Sequence, residues 1–378
     1  MAHSLDRRRF VKRTPLPFLL SLVVSLCGCS LSEPPKFRPN TEGRDREEIA
    51  QAQFEAIDET LAELFGTPDE PKVPEGVDLN MKLLAAAAGP AGSDQQGNQR
   101  GLFRRHCAVC HGISGDGQGP SAAMLDPYPR DFRGGVVKYT STAGGAKPSR
   151  GDIARALSIG NADTAMPSFV RLPDHEIEAL VEYVKYLCIR GETELYLFMV
   201  VVDEDEYLPL DEDMVIEEGV LPVVEMWSEA EGMVVDQAEA ERHAPKTTDA
   251  KQLQASIDRG RELFLGKDAQ CSSCHGPNAD GRGEQAELYD DWNKVKVGVN
   301  AEETAKLARL YSLPLQRLWP RDLTKGIFHG GDRPIDLYWR IHVGIKGTPM
   351  PAGGPAPGSS GVFTPEEIWD LVNYVRSL

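Results

Sequence analysis

The sequence has no long apolar run, few aromatic residues and no excess of basic charge. No run reaches the roughly 20 residues that cross a bilayer, which excludes a polytopic membrane protein. Aromatic residues make up 7% and hydrophobic residues 41% of the 378 residues, which is still enough to build ordinary cores. The formal net charge of −17 argues against nucleic-acid binding, because proteins that bind phosphates carry basic patches.

Lysine and arginine are missing altogether from residues 191–241, although this segment contains 17 aspartate and glutamate residues. That number equals the formal net charge of the whole chain, so the remaining residues sum to zero. Short apolar runs within the segment predict a small, mostly helical subdomain, although they fit short strands as well. Two roles are open for its acidic face: docking to a basic partner, or keeping the protein soluble.

Cysteine is scarce, and four of the seven cysteines fall into two copies of one pattern. The two copies are Cys107-Ala-Val-Cys110-His111 and Cys271-Ser-Ser-Cys274-His275. The pattern C-x-x-C-H attaches c-type haem: two thiols one helical turn apart reach the two vinyl groups of one porphyrin, and the histidine is held under the iron. A redox-active dithiol or half a zinc site is the alternative. Zinc needs further ligands at suitable spacing, and a dithiol needs no histidine.

The motif belongs to an internal repeat whose landmarks come in the same order in both copies. Each copy opens with Arg-Gly and an aromatic residue, continues through a glycine-rich stretch and Pro-Arg-Asp, and closes with Met-Pro and an amphipathic helix. The closing helices are predicted to end near Ile189 and at Leu378. Gly101 and Gly260 are expected to open a short helix that crosses the closing helix at close range.

On these residues the chain resembles the class I c-type cytochromes, over residues 97–190 and 253–378. In that family a methionine from a later loop, commonly followed by proline, is the second axial ligand of the iron. The resemblance implies Met166 and Met350 as these ligands, opposite His111 and His275. Thioether ligation favours the reduced iron and raises its potential.

Other residues compete for the second axial position. A lone methionine is more often a core filler, but the loop position, the following proline and the repetition favour ligation here. His342 is the rival for the second site, although its context suits packing within a helix. His106 is the rival for the first site, although it directly precedes Cys107 and would have to fold back.

The resemblance also implies contacts around each haem. Family members hold the second ring nitrogen of the proximal histidine with the carbonyl of a proline nine residues on, which is Pro120 in the first copy. Glu284 occupies that place in the second copy. Arg130 and Arg321 recur in Pro-Arg-Asp, and either pair with a haem propionate or form a structural Arg–Asp turn.

The N-terminal residues have the features of an export signal. Basic residues precede an apolar stretch, Leu16 to Leu26, that is too short to span a bilayer. The stretch ends in Leu26-Cys27-Gly28-Cys29, which resembles the lipobox of bacterial lipoproteins and predicts lipid on Cys29. An ordinary signal peptide or an uncleaved anchor are the alternatives. The three arginines at 7–9 also resemble a twin-arginine signal, but that route carries folded proteins, whereas haem is attached after export to an unfolded chain.

These observations predict an all-α fold with two cytochrome c domains in tandem, joined by an acidic insert. The predicted segments are a lipoprotein signal peptide (1–28), a tether with an amphipathic helix near 44–65 (29–96), the first domain (97–190), the insert and linker (191–252) and the second domain (253–378). Two covalently bound haem c groups are expected. With both irons ligated by histidine and methionine, electron transfer is expected rather than catalysis on a small-molecule substrate.

The expected location is the periplasmic side of a bacterial membrane, through the lipid anchor. The expected partners are redox proteins, in particular membrane respiratory complexes. The protein would then be a carrier or a cytochrome subunit between a quinol-oxidising complex or dehydrogenase and a terminal oxidase. The alternative is a two-haem enzyme such as a bacterial cytochrome c peroxidase, which requires one iron with an open or displaceable ligand.

Overall fold

A computed structural model describes residues 34–203, 210–245, 249–268, 270–284, 288–289, 302, 305, 308–314 and 316–378. Nearly all of them belong to one compact unit, Pro35–Leu378, and the unit before it, Met1–Pro34, contributes only Pro34. The predicted signal peptide and Cys29 therefore lie outside the described residues. In the described part of the chain, no helix is both long enough and apolar enough to cross a membrane.

The first half of the chain consists of short helices packed around one long helix. Its α-helices are α1 (Gln51–Phe65), α2 (Met81–Ala87), α3 (Leu102–His106), α4 (Ala108–His111), α5 (Arg150–Ile159) and α6 (Asp174–Phe198). Short 3-10 helices cover Arg46–Glu48 and Ala122–Met124. Two-residue strands, β1 (Gly92–Ser93) and β2 (Gln99–Arg100), pair antiparallel.

The segment that the sequence predicts to be a tether packs on the first domain from Phe37 onward. Phe37, Leu61 and Phe65 are buried in the same core as the residues of α6. The hydroxyl of Tyr183 donates to the carbonyl of Pro68 at 3.2 Å, which fixes the chain after α1 against α6. Because α1 buries its apolar side in this way, residues 37–96 are part of the first domain and not a separate connector.

The acidic insert is mostly helical, as the sequence predicts, and it packs on the first domain. Helix α6 does not end near Ile189 but continues to Phe198, and the chain then forms a π-helix, Met199–Asp203. After residue 209 come α7 (Glu212–Met214), a π-helix (Val215–Val220), α8 (Leu221–Glu229), a 3-10 helix (Ala230–Met233) and α9 (Gln237–Arg242). The apolar residues of the insert, among them Phe198, Val220 and Trp227, join the first core.

The second half repeats the arrangement with fewer helices. Its described α-helices are α10 (Ala250–Leu265), α11 (Cys271–His275), α12 (Pro334–Val343) and α13 (Pro365–Ser377), with a 3-10 helix at Leu323–Lys325. Strands β3 (Leu288–Tyr289) and β4 (Arg317–Leu318) pair antiparallel. Ile335, Tyr338, Trp369 and Val372 belong to a second hydrophobic core. The described strands are only two residues long, so the predicted all-α fold with two domains is confirmed.

The two glycines that open the repeats have different structural roles. Gly260 lies inside α10, where a Cβ atom would collide with the backbone oxygen of Asp370 in α13. This glycine therefore allows the close crossing of the terminal helices that the sequence predicts. Gly101 precedes α3 with a φ of 65°, and a Cβ atom there would meet the backbone of Pro90 rather than the closing helix. Gly101 therefore opens a short helix, as predicted, but it does not provide the space for a crossing with the closing helix.

Candidate haem sites

Both cysteine pairs lie on short helices whose C-terminal loops are built alike. In the first repeat, Gly117 N–H donates to the carbonyl of His111 at 2.9 Å, and Gly119 N–H donates to that of Cys110 at 2.9 Å. In the second repeat, Gly281 and Gly283 make the same bonds to His275 and Cys274, at 2.8 and 3.0 Å. Glycine is required here, because a Cβ atom on Gly119 or Gly283 would overlap a carbonyl of the preceding helix.

The thiols of both pairs are free and stand one helical turn apart. Burial raises the pKa of Cys107 to about 12, and the pKa of Cys271 is raised by the same desolvation. A redox-active dithiol requires a lowered pKa, so the raised pKa of Cys107 and Cys271 argues against that alternative.

Each proximal histidine is held by the carbonyl of the arginine in Pro-Arg-Asp. The ring Nδ1 of His111 lies 2.9 Å from the Arg130 carbonyl, and that of His275 lies 3.1 Å from the Arg321 carbonyl. The expected partner in the first copy, Pro120, is therefore wrong, and Glu284 does not take this role in the second copy. Since a carbonyl only accepts, Nδ1 carries the proton and Nε2 keeps its lone pair for a metal. Burial lowers the pKa of both histidines, which also favours the neutral ring.

The two methionine loops have the same hydrogen bonds. Met166 N–H donates to the hydroxyl oxygen of Thr164 at 3.2 Å, and the Met166 carbonyl accepts from the N–H of Asn161 at 3.1 Å. In the second loop, Met350 N–H donates to the hydroxyl oxygen of Thr348 at 3.2 Å, and the Met350 carbonyl accepts from Ile345 N–H at 3.1 Å. Gly160 and Gly344 precede these loops with φ near 70° and bring the backbone against the residues after each methionine. The repetition noticed in the sequence is thus a repetition of geometry.

In the first domain the predicted residues surround one cavity. His111 and Met166 both line it, as do Cys107 and Cys110. The remaining wall is largely apolar and includes Phe103, Leu125, Ile153, Leu157 and Phe169. Phe132 stacks on the His111 ring with centroids 4.6 Å apart and keeps it in place. Two thiols, an imidazole with a free Nε2 and a thioether in an apolar cavity are the donor set that fits a covalently attached haem.

The second site is assembled from the equivalent elements. The ring centroids of Phe264 and His275 lie 6.4 Å apart, and those of Phe264 and Tyr374 in α13 lie 5.3 Å apart. Cys271, Cys274 and His275 are partly exposed, whereas Cys107 of the first pair is buried. Met350 is also partly exposed.

The rival histidines occupy different surroundings. His342 is buried in α12, with Nε2 2.8 Å from the carbonyl of Pro355 and Nδ1 3.3 Å from the hydroxyl of Tyr338. Both ring nitrogens are thereby engaged. His106 lines the first cavity with its ring edge-on to Phe169, at a centroid distance of 5.8 Å.

The two arginines predicted to contact propionates differ in their surroundings. The Arg130 side chain lines the first cavity. The Arg321 guanidinium binds the carboxylate of Asp163 at 2.8 Å, and Asp163 belongs to the methionine loop of the first domain. This contact between the repeats was not anticipated from the sequence, because nothing in local spacing brings residues 158 positions apart together.

Sequence reasoning also missed two buried aspartates that brace the cavity helices. Asp152 begins α5 and accepts hydrogen bonds from Ser141 N–H at 2.8 Å and from Ser149 N–H at 3.0 Å. Asp336 occupies the same position in α12 and pairs with Arg155 of the first domain and with Arg333. The signal available was the capping pattern that both helices share, three residues after the N-cap.

The family description Cytochrome c matches residues 99–187 and 257–378, together more than half of the chain. No curated protein matches the sequence. Among solved structures, a chain of the Kuenenia stuttgartiensis reducing HAO-like protein complex is similar, with 23% identity and a TM-score of 0.49. The similarity covers 76% of this chain and 96% of that one.

Proposed function

Because the chain belongs to the cytochrome c family and carries two of its domains in tandem, we propose that it is a dihaem electron-transfer protein at the periplasmic face of a bacterial membrane. The observation that carries the proposal is the pair of equivalent donor sets. Each set has two cysteines, a histidine whose Nδ1 is bound by an arginine carbonyl, and a methionine in a braced loop.

The residues of each set have separate tasks. The cysteines would hold a haem covalently, and the haem, when bound, supplies an iron that gains and loses one electron reversibly. His111 and His275 would offer Nε2 to the iron, since their Nδ1 protons are bound by the carbonyls of Arg130 and Arg321. In the first domain, the stacked Phe132 and the apolar wall keep water away from the site.

The two sets are in contact through one ion pair. Asp163 stands three residues before Met166, and its carboxylate binds the guanidinium of Arg321. The carbonyl of the same arginine holds His275. One ion pair and one hydrogen bond, joined by the chain itself, therefore connect the two donor sets. With both haems bound, this connection would favour passage of an electron between them within the chain.

The partners and the location rest on the sequence. We propose a lipid anchor at Cys29, a donor that is a quinol-oxidising complex or a dehydrogenase, and an acceptor that is a terminal oxidase. The protein would act as a mobile carrier or as the cytochrome subunit of such a complex. The exposed acidic residues of the insert offer a surface for a basic partner, and residues such as Phe198, Val220 and Trp227 anchor that surface on the first core.

The proposal is tested on the intact protein isolated from the periplasmic or membrane fraction. The pyridine haemochrome should count two haems per chain, and both irons should be low-spin in the oxidised state. A variant with Cys274→Ala and His275→Ala should keep one haem. A count of one or none in the unmodified protein would refute the proposal. A high-spin ferric iron with peroxide turnover would instead favour a two-haem peroxidase.

A further inference from the structure

A buried arginine without a carboxylate partner lies where the two domains meet. Arg340 of α12 is only 6% exposed. Its guanidinium donates to the backbone carbonyls of Asp336 at 2.9 Å, His329 at 3.4 Å and Gly330. Within the described ranges it forms no ion pair. Burial lowers the pKa of Arg340 to about 10, and Arg155 nearby acts in the same direction.

A buried guanidinium is costly unless an anion faces it. The two carboxylates that act on Arg340 electrostatically, Asp336 and Asp152, are already engaged with other groups. Asp336 binds Arg155 and Arg333, and Asp152 accepts hydrogen bonds from the backbone of Ser141 and Ser149. The protein residues therefore leave the charge of Arg340 without a dedicated anion.

Arg340 packs against Tyr139, a residue in the wall of the first haem cavity. The guanidinium carbon lies 4.8 Å from the centroid of the Tyr139 ring. Tyr139 lines that cavity, and so does Gly330 of the second domain, whose carbonyl accepts from Arg340. Gly330 N–H is in turn bound at 3.0 Å by the side chain of Asn161, which precedes the first axial methionine. The second domain thus forms part of the wall of the first domain's cavity.

A second buried polar group lies in the same region, on His329. The Nε2 atom of His329 is buried and has no hydrogen-bond partner among the described residues. Its ring stands edge-on to Tyr139, with centroids 6.5 Å apart. The pKa of His329 is lowered to about 4, first by desolvation and then by Arg321 and Lys138. Burial raises the pKa of Tyr139, and the positive charges of Arg340, Arg130 and Arg321 act against that shift.

A c-type haem brings two propionate carboxylates, which are the anions that this group of residues lacks. We propose that the second domain completes the haem site of the first: Arg340, with Tyr139 beneath it and His329 beside it, forms the cationic and hydrogen-bonding surface for a propionate of the haem attached to Cys107 and Cys110. The inference rests on the proposed function, since it requires that haem.

The arrangement has a consequence for the first haem. A fixed positive charge beside a propionate favours the reduced iron, because the electron adds negative charge at the same place. The first haem should therefore have a higher potential with the second domain's arginine in position than without it. Arg340 acts here as a positioning and charge-compensating residue and not as an iron ligand.

The experiment is a redox titration of the full chain with both haems, comparing Arg340→Gln with the unmodified protein. The wave of the first haem is identified beforehand by its displacement in Met166→His. In Arg340→Gln that wave should move to a lower potential by about 59 mV. At a fixed solution potential, this shift corresponds to an increase of about tenfold in the ratio of ferric to ferrous haem. Arg340→Lys, which keeps the charge, should recover most of the shift. The control is Arg376→Gln, an exposed arginine of α13, which should move neither wave.

A second readout separates propionate contact from a general structural effect. The propionate bending modes in the resonance Raman spectrum of the first haem should change in Arg340→Gln and, more weakly, in Tyr139→Phe. If Arg340→Gln does not fold, Tyr139→Phe and His329→Gln carry the same measurement. The inference is overturned if both waves stay in place in folded variants, or if only the second wave moves. A haem count below two in the unmodified protein would mean that the proposed function itself has failed.

Discussion

Replacing Gly260 by alanine should destabilise the second domain, because it introduces a methyl group into the tightest helix crossing of that domain. The added Cβ would overlap the backbone oxygen of Asp370 and would stand 2.8 Å from the Cβ of Tyr374. Ordinary contacts of this kind lie between about 3.4 and 4 Å, so α10 and α13 would have to separate by about 1 Å. Gly260 does not have a positive φ, so the alanine would destabilise through steric overlap and not through backbone strain.

The expected change in the free energy of unfolding combines one stabilising contribution with two destabilising ones. Alanine in a helix interior stabilises by about 1 kcal/mol relative to glycine. Overpacking of a core costs about 1–3 kcal/mol. The separation also disturbs the bonds from Ser256 at 2.5 Å and Arg259 at 2.7 Å to Asp370, worth about 1 kcal/mol each. We expect Gly260→Ala to lower the free energy of unfolding of the second domain by about 1–4 kcal/mol.

The assay is urea unfolding of the holoprotein, with the midpoint compared at unchanged slope. The control is Gly232→Ala, since Gly232 lies in a 3-10 helix and a Cβ there meets nothing within 4 Å. That variant should unfold at the same urea concentration as the unmodified protein or slightly above it. If Gly260→Ala is as stable as the control, the close crossing is not what holds α10 against α13, and the reasoning fails.

Further predictions concern the ligands, the anchor and the insert. Met166→Ala and Met350→Ala should each remove part of the weak far-red sulfur-to-iron band of the oxidised protein, and an unchanged band in either variant would exclude that methionine as a ligand. Cys29→Ser should release the protein from membranes into the soluble fraction, whereas continued sedimentation would point to an uncleaved apolar anchor. Neutralising the exposed carboxylates of the insert should flatten the salt dependence of electron transfer to a basic partner, because screening acts over about 8 Å at physiological ionic strength. An unchanged salt slope with unchanged haem spectra would exclude docking through these residues. They are Glu212, Asp213, Glu217, Glu225 and Glu229.

The sequence located the candidate haem residues because the chemistry of attachment is local. Two thiols and an imidazole within five residues must lie on one helical turn, whatever surrounds them. The methionine loops followed from repetition, since a residue that recurs in the same context twice is poorly explained as filler. The helical fold class followed from the apolar spacing of the closing helices, which depends on few long-range contacts.

The partner of the proximal histidine was missed because it depends on how a distant loop returns. The Pro-Arg-Asp segment is brought under His111 by the N–H of Phe132, which donates to the Gly115 carbonyl at 2.8 Å. The second repeat makes the equivalent bond from Leu323 to Ala279 at 2.8 Å. A fixed spacing of nine residues from the histidine does not show which distant loop folds back against its ring.

The insert was misjudged for a related reason. Its charged residues are all acidic, and its apolar runs predict only a small helical subdomain. The sequence does not show that part of these apolar side chains, among them Leu197, Val215 and Trp227, completes the first core. The indole of Trp227 also donates to Glu192 at 2.9 Å, and Lys147 binds the same carboxylate. Part of the acidic charge of the insert is therefore used inside the first domain.

The two haem domains are not independent units placed in a row. Arg155 of the first domain pairs with Asp336 and lies 4.7 Å from the ring centroid of Trp339, both in α12. The Asp163–Arg321 pair makes a second connection, between one methionine loop and the loop that holds the other proximal histidine. A change at either donor set therefore acts on residues that position the other. Asp336 and Arg321 have equivalents in the first repeat, Asp152 and Arg130, but within the described part of the chain the equivalent residues do not form the same pairs. The asymmetry of the tandem therefore lies where the domains meet and not in the haem motifs themselves.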